Sequence, residues 1–256
     1  MSAALTLLLG LAIGFLSGLF GVGGSSVATP LLRLLGVSRL EALASPLPAT
    51  FLTAFVGGLS YWRRGLVRRR VVGWTVVGGI PAVLVGADLS GEVPGRLLMA
   101  LTAAFILYAG VRVLRPSPAD TAPAAARPER RGVLLLLGAL VGGLSGLLGN
   151  GGGTLLVPAY LIVCRMTPQE AAASSLVAVA LLALPGTIIH WGLGHIDGGL
   201  ALLLALGVLP ASYLGARVGM ALPVKPARRL FGLFLLLFGI FFLARTLYRV
   251  ELYGWR

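Results

Sequence analysis

Charge is what this sequence has least of. Only 11% of its 256 residues are Asp, Glu, Lys or Arg, against about 25% in an ordinary soluble domain. A soluble fold of this length could not cover its surface with so few charged side chains. Cysteine is almost missing as well. The single Cys164 excludes a disulfide-stapled secreted scaffold and reads as a small apolar side chain. No charged residue precedes Arg33, so a signal peptide with a basic leading region is not expected. Apolar residues make up 57% of the chain and come in long runs, which excludes disorder. What remains is an integral membrane protein with helical spans rather than barrel strands.

The charges that do occur are lopsided: 21 Lys and Arg against 8 Asp and Glu, a formal net charge of +13. A nucleic-acid interface would need a soluble module to carry it, and no stretch is long and polar enough. The arginines instead gather in short gaps between apolar runs, at Arg63, Arg64, Arg68, Arg69 and Arg70, then at Arg112, Arg115, Arg127, Arg130 and Arg131. Cytoplasmic loops of membrane proteins have this character. The expected partner is therefore the lipid bilayer of the cell (inner) membrane, crossed several times, and not a nucleic acid.

Apolar segments fall at 4–20, 25–36, 42–62, 71–89 and 96–114, and resume after a Pro/Ala-rich stretch at 133–148, 153–164, 168–191, 198–219 and 227–249. A spanning helix needs roughly 20 apolar residues. The segments at 25–36 and 153–164 are short for that and follow glycine clusters, so they read as half-helices or re-entrant arms.

The two sets of segments are copies. A shift of 128 sets residues 10–30 on 138–158 with ten of twenty-one positions identical, Gly10, Gly14, Ser17, Gly18, Gly21, Gly23, Gly24 and Pro30 among them. A shift of 129 then pairs Glu41 with Glu170, Ser45 with Ser174, Trp62 with Trp191, Pro81 with Pro210 and Gly110 with Gly239. Two half-units packed about a pseudo-two-fold axis are predicted. The loop at 63–70 holds five arginines, whereas its counterpart at 192–197 holds no Lys or Arg and one Asp. The loop at 88–96 is mixed, while its counterpart at 217–229 carries Arg217, Lys225, Arg228 and Arg229. Equivalent loops of opposite character belong on opposite sides of the membrane. The predicted fold is all-α, with two inverted-topology repeats, each a glycine-broken helical hairpin plus three spanning helices. Residues 1–114 form the first repeat, 115–131 a cytoplasmic linker and 132–256 the second, with both termini outside.

The glycine clusters Gly21-Val22-Gly23-Gly24-Ser25-Ser26 and Gly149-Asn150-Gly151-Gly152-Gly153-Thr154 interrupt apolar stretches. An interrupted backbone in hydrocarbon is tolerated only where protein or a polar cavity receives its N–H and C=O groups. The helix restarting after each cluster offers free N–H groups and the positive end of its dipole. Two such ends meeting across the axis would form an anion site, with Ser25, Ser26, Thr154 and Asn150 adding donors. The sparser glycines at spacing four (Gly10, Gly14, Gly18; Gly138, Gly142, Gly146) suit tight helix packing instead. No lysine or nucleotide domain follows the glycines, so a phosphate-binding loop is excluded. Ser45, Thr50, Thr53, Ser174 and Ser175, beside Pro46, Pro48 or upstream of Pro185, either satisfy freed backbone or face the cavity.

Two tempting readings are weaker. Gly143-Leu144-Ser145-Gly146 matches the short pattern of an intramembrane serine hydrolase, with His190 or His195 as base, but the match is only four residues long. Glu41 and Glu170 are placed as proton carriers by their repeat relation. Yet Ser38-x-x-Glu41 and Thr167-Pro168-x-Glu170 are capping boxes that open helices. His190 beside Trp191 suits an interfacial aromatic belt.

These motifs resemble the sulfite exporter TauE/SafE family of membrane transporters. The resemblance lies in GVGGSSVATP and GNGGGTLLVP, in the ASPL and ASSL segments, and in the turns YWRRGLV and HWGLGHID. It extends over both halves. Pro46 stands where the family usually has a serine, and Arg68 where Asp197 keeps an aspartate in the second half. Membership implies export of sulfite or an organosulfonate, a small anionic sulfur compound, with no catalytic residue, cofactor or metal. The binding residues expected are Gly23, Gly24, Ser25, Ser26, Ser45, Thr50, Asn150, Gly151, Gly152, Gly153, Thr154, Ser174 and Ser175. An intramembrane serine hydrolase and a non-transporting scaffold are the competing classes. Monomer and homodimer both stay open.

Overall fold

The computed structural model describes residues 2–89, 95–115, 130–148, 152–192 and 194–247, and among these every regular element is helical. The first half contributes α1 (Ala3–Phe20), α2 (Ser25–Leu34), α3 (Arg39–Ala44), α4 (Pro46–Trp62), α5 (Arg69–Asp88) and α6 (Gly95–Leu114). The second contributes α7 (Arg131–Leu148), α8 (Gly153–Ile162), α9 (Pro168–Gly192), α10 (Gly198–Ala221) and α11 (Val224–Leu247). Most of the stretch read as a linker, along with Asn150 and Gly151, lies outside the described residues.

Among the described residues, five helical stretches are long and apolar enough to cross a membrane: Ala3–Phe20, Glu41–Trp62, Arg69–Asp88, Pro168–Gly192 and Gly198–Ala221. Their ends are set by local chemistry. Ser2 accepts from the Leu5 amide at 3.4 Å to start α1, and Asp197 accepts from Leu200 at 3.0 Å to start α10. The second capping box closes both ways: Thr167 Oγ1 accepts from the Glu170 amide at 3.3 Å while Glu170 Oε2 accepts from the Thr167 amide at 3.0 Å, and in the first Ser38 Oγ accepts from the Glu41 amide at 3.3 Å. The third segment differs between halves. Pro46 stands at the first position of α4 and breaks it from the short α3 at Ser45, whereas α9 runs unbroken through Pro185. Proline at a first helical position costs no hydrogen bond, and upstream it forces a new start.

Helices α2 and α8 have 10 residues each, about 15 Å of rise, half of a roughly 30 Å hydrocarbon core. Neither spans. Outward faces of the long helices carry Leu136, Leu140, Leu202, Leu206 and Leu237, all exposed. Side chains with no protein neighbour suit lipid, which is as apolar as they are. Near the helix ends Arg69 stacks on Trp62, Arg131 on Trp74 and Arg217 on Tyr213, at 4.6, 5.2 and 5.0 Å.

Glycine decides which helices meet. Gly10, Gly14 and Gly18 of α1 press on the α10 backbone at Leu204, Val208 and Ser212. In the other half, Gly138, Gly142 and Gly146 of α7 press on the α5 backbone at Thr75, Gly79 and Val83. These two sets are the same contacts, shifted by the repeat. A Cβ added at Gly14 would stand 2.6 Å from Val208 Cα, and one at Gly142 would stand 2.5 Å from the Gly79 carbonyl. Residue numbers rise together in both interfaces, so the paired helices run parallel. Between α6 and α11 they run oppositely: Gly110 meets Leu236, Leu114 meets Gly232, and Leu107 meets Gly239. Helices α4 and α9 also run against each other, with Gly57 on Leu176 and both Thr50 and Val179 at Gly23.

Candidate functional site at the glycine breaks

Helix α1 stops because Gly21 turns left-handed, with φ 75, its amide bonded to the Ser17 carbonyl at 2.7 Å. Only glycine fits there. A Cβ would also stand 2.5 Å from Ala172 Cα on α9. The carbonyl freed at Gly21 accepts from Ser175 Oγ at 2.9 Å, so one predicted hydroxyl serves the broken backbone. Gly23 is left-handed again, with φ 75, and α2 then begins. In the second half Gly152, with φ 76, precedes α8 without a side-chain cap.

The two breaks touch. A Cβ on Gly153 would run into the Val22 carbonyl and reach 2.9 Å from the Gly23 nitrogen. Ser26 Oγ and Thr154 Oγ1, which the repeat equates, lie 3.3 Å apart and are fully buried. The hydrogen-bonded ladder of α2 starts with Ala28 donating to Gly24 at 3.0 Å, and that of α8 with Leu156 donating to Gly152 at 2.9 Å. The amides of Ser25, Ser26, Gly153 and Thr154 come before those bonds. Two helix N-termini therefore converge on one place, and their dipoles add there.

The hydroxyls beside this place are poorly satisfied. Ser25 Oγ and Thr50 Oγ1 are buried with no hydrogen-bond partner, in residues that are 0% exposed. Thr50 Oγ1 lies 3.2 Å from the position a Gly24 Cβ would take. An unpaired buried hydroxyl costs about 1–3 kcal/mol. The walls are apolar: Ile13 and Val179 on the first break, Val141 on the second. Ile13 and Val141 are repeat partners, and extending the repeat from the glycines to their neighbours would have picked them out.

Of the residues expected to bind, Gly23, Gly24, Ser25, Ser26, Thr50, Gly152, Gly153 and Thr154 come together here. Ser175 reaches the edge of the break through Gly21. Ser45 and Ser174 sit elsewhere, and they do the same thing twice. Ser45 Oγ accepts from the Asp197 amide and Ser174 Oγ from the Arg68 amide, each at 3.0 Å. Each serine thus holds the residue that starts a helix of the opposite half, α10 and α5 respectively. Asn150 and Gly151 lie outside the described residues.

An ion pair joins the halves beside Ser174. Arg68 reaches Glu170 Oε1 with Nε at 3.0 Å and Nη2 at 2.9 Å. The repeat partners of these two residues are Asp197 and Glu41, both acidic, so the opposite end has no equivalent pairing. Below Phe20, a cavity of about 20 Å³, room for roughly one water, lies between Tyr61, Gln169 and Leu222. Gln169 Nε2 donates to the Leu222 carbonyl at 2.8 Å across its end. Ser145 lies against Gly152. Among the described residues neither histidine is bonded to it, and His190 and His195 instead face each other, Nδ1 to Nδ1 at 3.2 Å.

Comparison with known proteins identifies the family. The family model described as "Sulfite exporter TauE/SafE" matches residues 6–242. A Bacillus subtilis (strain 168) protein named "Probable membrane transporter protein YjnA" is 25% identical over 249 residues, covering 91% of this chain and 97% of its own. A Xylella fastidiosa (strain Temecula1) protein named "Probable membrane transporter protein" is 31% identical over 230 residues, covering 80% of this chain and 86% of its own. A relative of the same name from Haemophilus influenzae is 27% identical over 260 residues, covering 92% and 96%. No solved structure matches significantly. A helical membrane chain, matched by the family model over nearly its full length and by relatives named as transporters, belongs to the TauE/SafE family of membrane transporters.

Proposed function

We propose that the protein exports a small sulfur-containing anion, sulfite or an organosulfonate, by alternating access at the paired glycine breaks. The observation that carries this reading is the meeting of Ser26 and Thr154, each opening a ten-residue helix, at 3.3 Å. Two converging N-termini with unsatisfied hydroxyls suit an anion and offer little to a cation or an apolar ligand.

The two halves, 1–114 and 132–256 with the linker 115–131 between them, act in this reading as inverted repeats. The antiparallel course of α4 against α9 and of α6 against α11 supports it. Equivalent elements related by a two-fold axis run antiparallel only when the axis lies across them, in the plane of the membrane. The arginine-rich loops then share the cytoplasmic side, and the Arg68–Glu170 pair closes that side. Rocking of one half on the other exposes the breaks to each side in turn. An inside-negative potential favours anion exit by about 2.3 kcal/mol per charge per 100 mV, so export needs no coupling ion.

The test is a thermal-shift and binding screen of purified protein against sulfite, sulfate, thiosulfate, sulfoacetate, taurine, acetate and chloride, followed by counterflow in proteoliposomes. At least one sulfur anion should bind above acetate and chloride and exchange across the bilayer. If none does, the substrate assignment fails.

A further inference from the structure

Resting on the transport reading above, we propose that the site accepts only a monoanion, so that bisulfite rather than the sulfite dianion is the species carried. What the site can offer an anion is countable. Each helix N-terminus presents about half an elementary charge, so α2 and α8 together present about one. The hydroxyls of Ser25 and Thr50 are buried and unpartnered. They add dipoles but no charge, and Thr50 Oγ1, 3.2 Å from the position a Gly24 Cβ would take, stands at the convergence itself.

Among the described residues, no lysine or arginine of the segments at the breaks adds a full positive charge to this. Residues 2–32, 40–62, 132–164 and 166–216, which supply the groups described at the breaks, contain no lysine or arginine. Ionisable groups on the surrounding helices stand well off. The backbone of Arg33 is eight residues along α2 from Ser25, about 12 Å. Arg131 opens α7 at its far end, and His190 lies in the last turn of α9. Glu170 stands nine residues from Val179, about 13 Å along α9, and is neutralised by Arg68. Tyr61 donates its phenol to the Gly18 carbonyl at 3.2 Å.

The cost of drawing an ion out of water grows with the square of its charge, while the attraction of a fixed dipole set grows only linearly. One unit of dipolar charge balances one negative charge. A second would be left uncompensated in a low-dielectric interior. Sulfate and the sulfite dianion are thereby refused, and bisulfite and monosulfonates accepted. Each bisulfite exported takes one negative charge and one proton outward.

The experiment measures sulfite binding by the purified protein, and counterflow in proteoliposomes, at about pH 6 and about pH 8. Bisulfite loses its proton near neutrality, so the monoanion is depleted about tenfold over that interval. The apparent Kd and KM for total sulfite should rise about tenfold, and methanesulfonate should compete better than sulfate. The chain's only two histidines are His190 and His195, the side chains that ordinarily titrate in this window. A His190→Asn/His195→Asn variant should keep the same profile, which assigns it to the ligand. An affinity for total sulfite that stays level or improves with pH overturns the proposal. So does sulfate competing as well as methanesulfonate, or a profile that disappears in the double variant. Failure of every sulfur anion to bind at either pH overturns the transport reading itself, a result distinct from these.

Discussion

Replacing Thr50 with valine should make the empty protein more stable and the transporter worse. Thr50 is fully buried, and its hydroxyl has no partner. Valine keeps the branched shape and removes only the unpaired oxygen. The penalty relieved is about 1–3 kcal/mol, of which we take about 1 as the working value, because the added methyl is not a perfect match. For a chain of this size, 1 kcal/mol moves the melting temperature by about 2–4 °C. A hydrogen bond to a charged ligand contributes about 1.5–3 kcal/mol, so anion affinity should fall by roughly 10- to 150-fold. The assay is a melting curve in detergent with and without a saturating sulfur anion. The variant should melt higher than wild type when empty and gain less from the ligand. A variant that melts lower when empty, or one that binds as wild type does, would refute the argument that this hydroxyl is held unsatisfied for a substrate.

Five serine and glycine positions separate binding from scaffolding. Ser45→Ala and Ser174→Ala each remove one bond to a helix-starting amide. Each should cost about 0.5–1.5 kcal/mol in melting experiments while leaving anion affinity unchanged. Gly18→Ala and Gly146→Ala drive a Cβ into the carbonyls of Ser212 and Val83, and should cost about 1–3 kcal/mol. Gly73→Ala, where a Cβ meets nothing within 4 Å, should be neutral or gain up to about 1 kcal/mol from helix propensity, measured the same way. Arg68→Glu should open the arginine-rich side, read as faster thiol labelling of an introduced cysteine near Gln169 in a background with Cys164 replaced. Because a pair this exposed is worth about 1 kcal/mol at most, the labelling rate should rise no more than roughly fivefold, and Arg68→Glu/Glu170→Arg should restore it. Equal labelling in all three proteins would exclude the pair as a closure.

The packing glycines were legible in advance because spacing four on an apolar helix admits few other uses. Gly14 against Val208 and Gly142 against Gly79 follow that pattern. The capping boxes were equally legible, since Thr167 and Glu170 lie within one turn and need no distant partner. Ser45 and Ser174 were not. Each lies next to a proline or a second serine, and nothing nearby in the chain points to amides 152 and 106 residues away. The Arg68–Glu170 pair escaped for the same reason, with the added difficulty that its repeat equivalent is two acids.

The sequence alone determined the solvent, the class of fold and the repeat. These depend on sums along the chain: too few charges to face water, runs of apolar length, and identity at a constant shift. It also marked the two interruptions, because glycine clusters inside apolar segments must be received by something polar. Only the tertiary structure decided what receives them. It brought Ser26 to Thr154 across 128 residues, set Val22 against Gly153, left Ser25 and Thr50 unsatisfied, and assigned Ser45 and Ser174 to the loops. The reason is physical. A helix N-terminus or a hydroxyl has the same local chemistry wherever it occurs, and it becomes a site only when long-range packing, here the close backbone contact that glycine permits, aims several of them at one point.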